Sequence, residues 1–368
     1  MVVMTTEKPK KYSYFIGIDI SRNELDFAVQ KGSTYLYHKE ILNQAAPITE
    51  LVNEFKKLPN FVMSRAVFCM ESTGLYCNIV VAVLKKFKAN IVQENPLHMR
   101  HSFGNVRGKH DKVDAIRIAA YAYKNRDEMK LWMPRRKVVQ QLADLTALRV
   151  RLLTTKVALK NPLQEQQDFL KKGAALETFN LCKRSITSLA LDIAALEKRI
   201  MELISEDEQL KRLYAIVTSV KSVGMFTAVQ MIIHTNEFKD INTAKKFACY
   251  AGVAPFKNES GVFIKRSRVS HIANKKMKSL LHICAVGALR YDSDIKAYYL
   301  RKIAEGKPKM SVINAVRVKL INRVFTCVHQ NRLYQTDYKA GDVQNIGVIA
   351  EQPLGNRTVE VELRSVSG

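Results

Sequence analysis

An acidic residue within an otherwise apolar strand pattern is the feature that most restricts the fold of this chain. In the segment YFIGIDI, which ends at Ile20, three isoleucines alternate with Gly17 and Asp19. Alternation with a period of two indicates a β-strand that carries its isoleucines on one face and Asp19 on the other. An unpaired buried carboxylate is costly in free energy, and a bound divalent cation would remove that cost.

The segments that follow predict a domain built from a mixed sheet and helices. Three short apolar runs between residues 12 and 41, separated by SRNE and KGS, indicate an antiparallel meander. A helix over 48–58, a strand that ends at Glu71, a helix over 75–87, a short strand over 90–93, a loop over 94–110 and a helix from Asp111 complete the pattern. The order βββαβαβα predicts a ribonuclease H-like domain, with helices on both faces of the sheet.

Four acids occupy prominent positions in these predicted elements. Glu71 ends the fourth strand and would lie beside Asp19, in the middle of the first strand, if the two strands pair. Asp111 and Asp114 have the i, i+3 spacing that places both on one face of a helix start. Each acid alone has an ordinary structural explanation, such as helix capping. Together they predict a two-metal phosphodiester site, where Mg²⁺ activates the nucleophile and stabilises the leaving oxygen.

The charge of the chain indicates a nucleic acid partner. Its 59 Lys and Arg against 34 Asp and Glu give a net charge of +25. Such an excess favours a polyanion, because basic side chains that neutralise phosphates release condensed counterions. The loop before Asp111 contains Arg100, Arg107 and Lys109, which we expect to contact phosphates that lie across the acid site.

The remainder of the chain predicts helices. Residues 135–214 follow a heptad-like pattern interrupted at Pro162 and Gly173, which indicates two helices in an antiparallel coiled-coil hairpin, although an ordinary helical bundle fits nearly as well. Residues 215–334 form a second, mostly helical unit that two helices close. The predicted domains are a basic arm over 1–11, the ribonuclease H-like domain over 12–134, the hairpin, this C-terminal unit and a tail over 335–368.

The cysteines and the hydropathy pattern bear on the compartment. The six cysteines form no CxxC pair, and no run of about 18 apolar residues occurs. We therefore expect reduced thiols, no membrane span and a cytoplasmic protein.

The chain resembles the DEDD insertion-sequence transposases, a family that includes Piv-type invertases and bridge-RNA-guided recombinases. The resemblance runs from about Tyr14 to Val328. Its motifs are FIGIDIS, CMESTG and GKHDKVDAIRIAAYA in the first part, and SVGMFTA, FACYAGVAP and the pair Ser260-Gly261 in the second. It implies a RuvC-like catalytic domain of ribonuclease H fold, which contains the four acids, and a C-terminal transposase domain.

The resemblance also implies a reaction and its partners. Ser260 would attack a DNA phosphate at a composite site completed by the acids and Mg²⁺, which gives a covalent serine–DNA intermediate. A structured bridge RNA encoded by the element would pair with donor and target DNA, so that base pairing selects the sequence. A dimer or tetramer would bring the two duplexes together at the bacterial nucleoid.

The C-terminal motifs imply further phosphate contacts. Gly224 belongs to Ser222-Val223-Gly224, where the family commonly has Gly-Ile-Gly in a hairpin whose amides hold a phosphate. Serine in place of the first glycine is unfavourable if that position needs a positive φ. A second departure is SHIA at 270–273, where the family has Ser-Lys-Arg-Gly. Next to the serine, we expect the following residues to contact DNA: Gly261, Arg266 and Arg268.

Other classes of protein explain part of the sequence. A RuvC-like nuclease or junction resolvase would use the same acids with water as the nucleophile, and it would leave no covalent adduct. A sugar kinase or actin-like ATPase needs glycine-rich phosphate loops, which this chain with 15 glycines lacks. A non-catalytic nucleic-acid-binding protein would leave the four acids unexplained. Within the transposase interpretation, the hydroxyls that compete with Ser260 are those of Tyr250, Ser267 and Ser270.

Overall fold

The computed structural model of the protein describes residues 12–72, 74–103, 110–169, 172–260, 263–270 and 272–336. The predicted arm over 1–11 and almost all of the predicted tail lie outside the described residues. In the first part of the chain, strands and helices follow one another in the order β1 (Tyr14–Ile20), β2 (Glu24–Lys31), β3 (Thr34–Leu42), α1 (Ala45–Phe55), β4 (Ala66–Glu71), α2 (Cys77–Lys86), β5 (Asn90–Glu94), α3 (Pro96–Phe103) and α4 (Asp111–Lys124).

The second part is mostly helical. Its elements are α5 (Lys137–Phe169), α6 (Lys172–Glu206), α7 (Glu208–Ser219), α8 (Met225–His234), α9 (Ala244–Tyr250), β6 (Pro255–Ser260), β7 (Phe263–Val269), α10 (Lys275–Tyr291), α11 (Ser293–Ala304) and α12 (Lys309–His329).

The five strands of the first part form one mixed sheet in the order β3-β2-β1-β4-β5. β1 and β2, and β2 and β3, pair antiparallel, whereas β4 is parallel to β1 and β5 is parallel to β4. An antiparallel meander followed by two strands parallel to its first member is the arrangement of a ribonuclease H-like sheet. The predicted meander and the predicted mixed sheet are therefore confirmed.

Each face of this sheet is covered by helices, as predicted. The three isoleucines of β1 face a core shared with Leu51 of α1 and Val80 of α2. On the opposite face, Phe15 packs with Ile118 of α4. Because both faces are buried, the central strands are apolar almost throughout, and the one acidic residue of β1, Asp19, lies near its carboxyl end.

Two details of the predicted domain are wrong. Asp19 is the penultimate residue of β1 and lies near its end, not at its middle. The predicted loop over 94–110 contains α3, which begins at Pro96. Proline fits the first position of a helix, where no N–H is needed, and the buried side chain of Met99 anchors the helix to the core. The loop lacked the periodic apolar pattern that signals a helix because this helix is short and mostly polar.

The predicted helical hairpin is present as α5 and α6. Arg149 Nε lies 2.7 Å from Glu197 Oε1, and Thr178 Oγ1 lies 2.9 Å from Gln166 Oε1, so the two helices run antiparallel. The interruption predicted at Pro162 is wrong, because Pro162 lies inside α5, whereas Gly173 lies at the start of α6. Proline removes one backbone hydrogen bond at a cost of about 3 kcal/mol, which packing along a long helix pair can outweigh. A coiled-coil register in this hairpin stays a prediction.

The C-terminal helices form a second core that includes the base of the hairpin. Leu142 of α5 and Ile200 of α6 are buried together with Phe247 of α9 and Phe325 of α12. The β6–β7 hairpin follows α9, and three helices, not the predicted two, close the unit. The short helix α11 was not separated from its neighbours in the sequence because only a turn around Asp292 divides it from α10.

Two further expectations concern the thiols and membranes. All six cysteines, each within the described residues, are free thiols. None of the described helices is both long and apolar enough to cross a membrane.

Candidate active site

Asp19 lies at the carboxyl end of β1, on the face opposite the isoleucines. In the register with β2 it pairs with Asp26, and Gly17 pairs with Ala28 on the same face. The Asp19 carboxylate accepts a hydrogen bond from the Ile20 N–H at 3.0 Å. This single bond orients the carboxylate and leaves most of its oxygen lone pairs available for other partners.

Gly17 allows helix α4 to approach the sheet next to Asp19. A Cβ atom at Gly17 would lie 2.2 Å from the Ala115 carbonyl oxygen and 2.3 Å from the Ala119 nitrogen, both in the backbone of α4. The two alanines form a small buried cluster with Ala28 of β2. Small residues on both elements thus let α4 rest directly on the sheet, which brings its first turn over the end of β1.

Three carboxylates meet at this position. Asp19, Asp111 and Asp114 each offer an oxygen, and these atoms all lie within 4.8 Å of one another. Burial raises the pKa of Asp19 to about 6, and the negative charges of Asp111 and Asp114 add to this effect. Carboxylates this close repel one another, and oxygen-only ligands of this kind suit a hard divalent cation. We refer to these three residues as the acid group.

Glu71 lies next to the acid group but is not among the three residues that form it. It ends β4, whose register pairs Met70 with Ile18, so it is near Asp19 across the two parallel strands. Burial raises the pKa of Glu71, the Arg100 guanidinium lowers it, and the charge of Asp114 raises it. Glu71 therefore shares the electrostatic environment of the acid group. Of the basic residues predicted to contact phosphates, Arg100 of α3 lies near Glu71 and is exposed.

Arg117 is a contact of the acid group that the sequence reasoning missed. Its guanidinium donates to the Asp114 carboxylate at 2.7 Å, one helical turn further along α4. The i, i+3 spacing of opposite charges was a readable signal for this pair. Arg117 neutralises part of the repulsion between the acids and holds the Asp114 side chain in place.

A second missed feature is a carboxylate–imidazole pair at the same edge of the sheet. Glu94 ends β5 and is the register partner of Glu71. Its carboxylate accepts hydrogen bonds from the Asn95 N–H at 2.9 Å and from His98 Nδ1 at 3.2 Å. It also accepts one from the Tyr121 hydroxyl of α4, whose pKa is raised to about 12, chiefly by burial. The i, i+4 spacing of Glu94 and His98 was hidden because it spans a strand end and a helix start.

The predicted nucleophile lies in the other part of the protein. Ser260 is the last residue of β6 and pairs with Phe263, so it stands at the tip of the β6–β7 hairpin. Arg266 and Arg268 lie on β7, and Gly261 lies outside the described residues, as do Arg107 and Lys109. Among the described elements, no extensive contact joins this hairpin to β1, β4 or α4. The structure thus brings three of the acids together, whereas Ser260 belongs to the hairpin of the other part of the protein.

Comparison with protein families identifies the chain. The family model for DEDD transposases of the IS110 type, whose description is "Transposase", matches residues 16–170. A model described as the transposase IS116/IS110/IS902 family matches residues 214–300. The first match includes the whole acid group, and the second includes Ser260. The chain belongs to this IS110-type transposase family.

Curated relatives agree with the family. The chain is 26% identical over 337 residues to a pilin gene-inverting protein of Moraxella bovis, covering 86% of this chain and 96% of the relative. It is 26% identical over 157 residues to an insertion element IS110 protein of Streptomyces coelicolor, covering 43% of this chain and 38% of that one. The transposase resemblance drawn from the motifs is thereby confirmed, and the chain is a DNA transposase or recombinase.

Solved structures offer a more distant likeness. T. thermophilus RuvC in complex with a Holliday junction substrate overlaps 33% of this chain and 100% of its own, with a TM-score of 0.27 and 12% sequence identity. The ribonuclease H-like assignment of the transposase rests on its strand order and not on this overlap.

Two of the hydroxyls that compete with Ser260 are engaged elsewhere in the transposase. The Tyr250 hydroxyl lies 2.8 Å from His234 Nδ1 and accepts from Asn274 Nδ2 at 2.7 Å. Burial lowers the pKa of His234 to about 4, so the ring is neutral and its Nδ1 accepts a hydrogen bond from the Tyr250 hydroxyl, while burial raises the pKa of Tyr250. Ser270 Oγ accepts from the Ile272 N–H at 3.1 Å in a local turn. The side chain of Ser267 lies outside the described residues.

The predicted phosphate-binding hairpin lies between α7 and α8. Ser222 has a φ of 70°, so the position where the family commonly has glycine does take the left-handed conformation. Gly224 is the exposed N-cap residue of α8 and has a φ of −81°. The strain expected at Ser222 is therefore present, and a phosphate contact at Gly224 stays a prediction.

Proposed function

We propose that this transposase cleaves and rejoins the DNA of an insertion sequence at a magnesium-dependent site, with Ser260 as the covalent nucleophile. The observation that carries the proposal is the convergence of Asp19, Asp111 and Asp114 within 4.8 Å at the end of β1. Family membership supplies the substrate class, and the net charge of +25 is what a phosphate-binding protein requires.

The acids would hold the metal. Asp19, Asp111 and Asp114 offer oxygen ligands only, and Glu71 stands next to them as a further ligand, a donor set that suits Mg²⁺ better than a softer metal. A bound Mg²⁺ would neutralise phosphate charge and stabilise the leaving oxygen. The carboxylates would hold that ion at the end of β1, and Arg117 keeps Asp114 in position.

Ser260 would supply the attacking oxygen. Its place at the tip of a hairpin suits a residue that must reach into a separate site, and the engagement of Tyr250 and Ser270 reduces the competing hydroxyls. As the bond from Ser260 Oγ to phosphorus forms, the bond from phosphorus to the leaving sugar oxygen breaks. The site is composite, because the nucleophile comes from the C-terminal unit and the acids from the ribonuclease H-like domain.

Hydrolysis by water is the second candidate. It is favoured by the lack of extensive contact, among the described elements, between the β6–β7 hairpin and the elements β1, β4 and α4 that carry the acids. Such a nuclease would use the same acids, and it would leave no protein attached to DNA.

A covalent trap separates the two reactions. Labelled DNA that carries the element end is incubated with protein and Mg²⁺, denatured, and the labelled residue is mapped by mass spectrometry. We expect the label on Ser260, no adduct with Ser260→Ala, and none with Asp114→Asn although its serine is intact. Metal binding should persist in Ser260→Ala. A label on Tyr250 or Ser270, or an adduct formed by Ser260→Ala, would refute the assignment of Ser260 as the nucleophile. Cleavage without any adduct would establish hydrolysis.

Guidance by RNA is a separate part of the proposal. We propose that a bridge RNA encoded in the noncoding end of the element selects donor and target DNA, and that a dimer or tetramer holds the two duplexes. The purified transposase should then carry one discrete RNA, and nuclease treatment should abolish sequence-specific recombination. Recombination at the correct sequence by RNA-free protein would refute guidance by RNA and leave the recombinase assignment unchanged.

A further inference from the structure

His98 is a histidine whose two ring nitrogens have different environments. Its Nδ1 lies 3.2 Å from Glu94 Oε1, and its side chain is 60% exposed. A carboxylate can only accept a hydrogen bond, so Nδ1 carries the proton and donates it. Nε2 then carries the lone pair, in a ring that solvent reaches. This is the tautomer and orientation that a general base or a proton shuttle requires.

The partner of His98 is itself held in place. Glu94 accepts from the Asn95 N–H and from the Tyr121 hydroxyl in addition to His98, and its side chain is only 27% exposed. An exposed ion pair at i, i+4 spacing contributes little and has no need of such support. A carboxylate fixed by two other donors orients the imidazole, as the second member of a catalytic dyad does.

The pair lies at the edge of the sheet where the acids gather. β1, β4 and β5 are parallel, so their carboxyl ends, at Ile20, Glu71 and Glu94, lie at one edge. Glu94 is the register partner of Glu71, and α3, which carries His98, also carries the Arg100 that acts on Glu71. His98 therefore lies at the same end of the sheet as the acid group, on the β5 side, two strands from β1.

We infer that His98 is the general base of the strand-cleavage step, positioned by Glu94. The inference rests on the proposed function, in which a serine hydroxyl, a weak nucleophile at neutral pH, must lose its proton. His98 Nε2 takes the proton from Ser260 Oγ as the oxygen–phosphorus bond forms and the bond from phosphorus to the leaving sugar oxygen breaks. The leaving oxygen takes a proton from water, and the imidazolium returns its proton to solvent.

The test measures single-turnover formation of the protein–DNA adduct. His98→Ala should lower its rate about 100-fold, the low end of what general-base catalysis contributes, and added imidazole should restore part of the loss. His98→Gln should be as slow and should not respond to imidazole. Glu94→Gln should lower the rate about tenfold, because it orients the ring less firmly. His329→Gln, which changes an exposed histidine at the end of α12, is the matched control and should keep the wild-type rate.

Binding and stability measurements separate a base from other roles. All His98 variants should keep the melting temperature and the Mn²⁺ affinity of the wild type. A His98→Ala rate within about threefold of wild type, a loss that imidazole does not restore, or a loss of Mn²⁺ binding would each overturn the assignment.

Adduct formation and strand cleavage by the wild-type protein test the proposed function independently of the His98 variants. If the wild type cleaves DNA without an adduct, Ser260 is wrong, and the cleavage rate of the same variants then tests His98 as the base for water. If the wild type cleaves no strand at all, both proposals fall.

Discussion

The transposase contains two clusters of carboxylates, and they differ in how their charge is compensated. In the ribonuclease H-like domain, the acid group places three carboxylates together, and burial with mutual repulsion raises the pKa of Asp19 to about 6. At the base of the helical hairpin, Asp207 and Glu237 flank Arg136, whose Nη1 lies 2.6 Å from Asp207 Oδ2 and whose Nε lies 3.0 Å from Glu237 Oε2.

The second cluster behaves in the opposite way. Hydrogen bonds from Arg136 hold the pKa of Asp207 below its ordinary value. Burial alone would raise the pKa of Glu237, whose side chain is fully buried, but Arg136 and Lys239 hold it low. Arg136 thereby joins the start of α5, the N-cap of α7 and the turn after α8, where Glu237 has a φ of 58°.

Compensation of charge distinguishes a structural cluster of carboxylates from a functional one. Where the charges cancel within the chain, the cluster fastens elements to one another and stabilises the fold. Where they do not cancel, the fold keeps like charges together against their repulsion, and a ligand of opposite charge is the physical reason to expect. Four experiments test whether the two clusters differ in this way.

Asp19→Asn should have the largest effect, on activity alone. We expect DNA strand cleavage to fall at least about 1000-fold, since a catalytic metal contributes several kcal/mol and each 1.4 kcal/mol is a factor of ten. The melting temperature of the metal-free protein should stay the same or rise, because the change relieves repulsion. Strand-cleavage assays and thermal melts on one preparation measure both. Wild-type cleavage by this variant would show that the acid group is not catalytic.

Arg136→Ala should have the converse effect, on stability. Removing the base leaves Glu237 buried without its main partner, and we expect a loss of about 3 kcal/mol in the free energy of unfolding. Urea denaturation measures it. The matched control is Arg199→Ala on α6, whose exposed pairs with Glu202 and Glu206 should contribute nothing measurable. Equal stability of the two variants would remove the distinction between the clusters.

Gly17→Ala tests how the acid group is assembled. The new methyl group would overlap backbone atoms of α4, and we expect about 1–3 kcal/mol of destabilisation together with weaker Mn²⁺ binding as Asp111 and Asp114 move away from Asp19. Gly287→Ala is the control, since its Cβ would meet Ser222 at an ordinary 3.6 Å. Unchanged Mn²⁺ affinity in Gly17→Ala would show that the acids do not depend on this close approach.

The pH dependence of stability should have opposite signs in the two clusters. The folded pKa of Asp19, about 6, exceeds its ordinary 3.8, so its stabilising contribution is present below about pH 4 and is lost as pH rises through about 6. Asp207 and Glu237 contribute above their ordinary pKa values and lose that contribution as pH falls. In metal-free protein, the melting temperature of Asp19→Asn relative to that of the wild type should rise as the pH increases from about 4 to about 7. A constant difference would contradict the raised pKa.

Local patterns predicted much of the first domain. Alternation identified β1 and the face that carries Asp19, and the spacing of Asp111 and Asp114 placed both at the start of α4. These predictions succeeded because residues two or three positions apart are neighbours in a strand or a helix, whatever lies around them. The helix α3 was not predicted, because it is short and polar and has little periodicity to recognise.

Contacts between distant segments could not be predicted in this way. Arg136 lies 71 residues from Asp207 and 101 from Glu237, and no local spacing pairs them. The Glu94–His98 pair is close in sequence, but its relation to Glu71 depends on the parallel register of β4 and β5. Pro162 was expected to end a helix by its local chemistry, and the packing of α5 against α6 decided otherwise.

The amino-acid sequence alone was enough to name the residues that can carry the chemistry, the order of the five strands in the first domain and the transposase family, because composition, period and motif are properties of the chain. Tertiary structure decided that three of the four predicted acids meet within 4.8 Å and that Glu71 stands beside them. It also decided that Arg136 and Lys239 together balance the charges of Asp207 and Glu237. In the acid group, Arg117 offsets only one of the three negative charges. Electrostatic energy depends on distance and burial, and both arise only when α4 rests on Gly17 and Arg136 reaches Asp207.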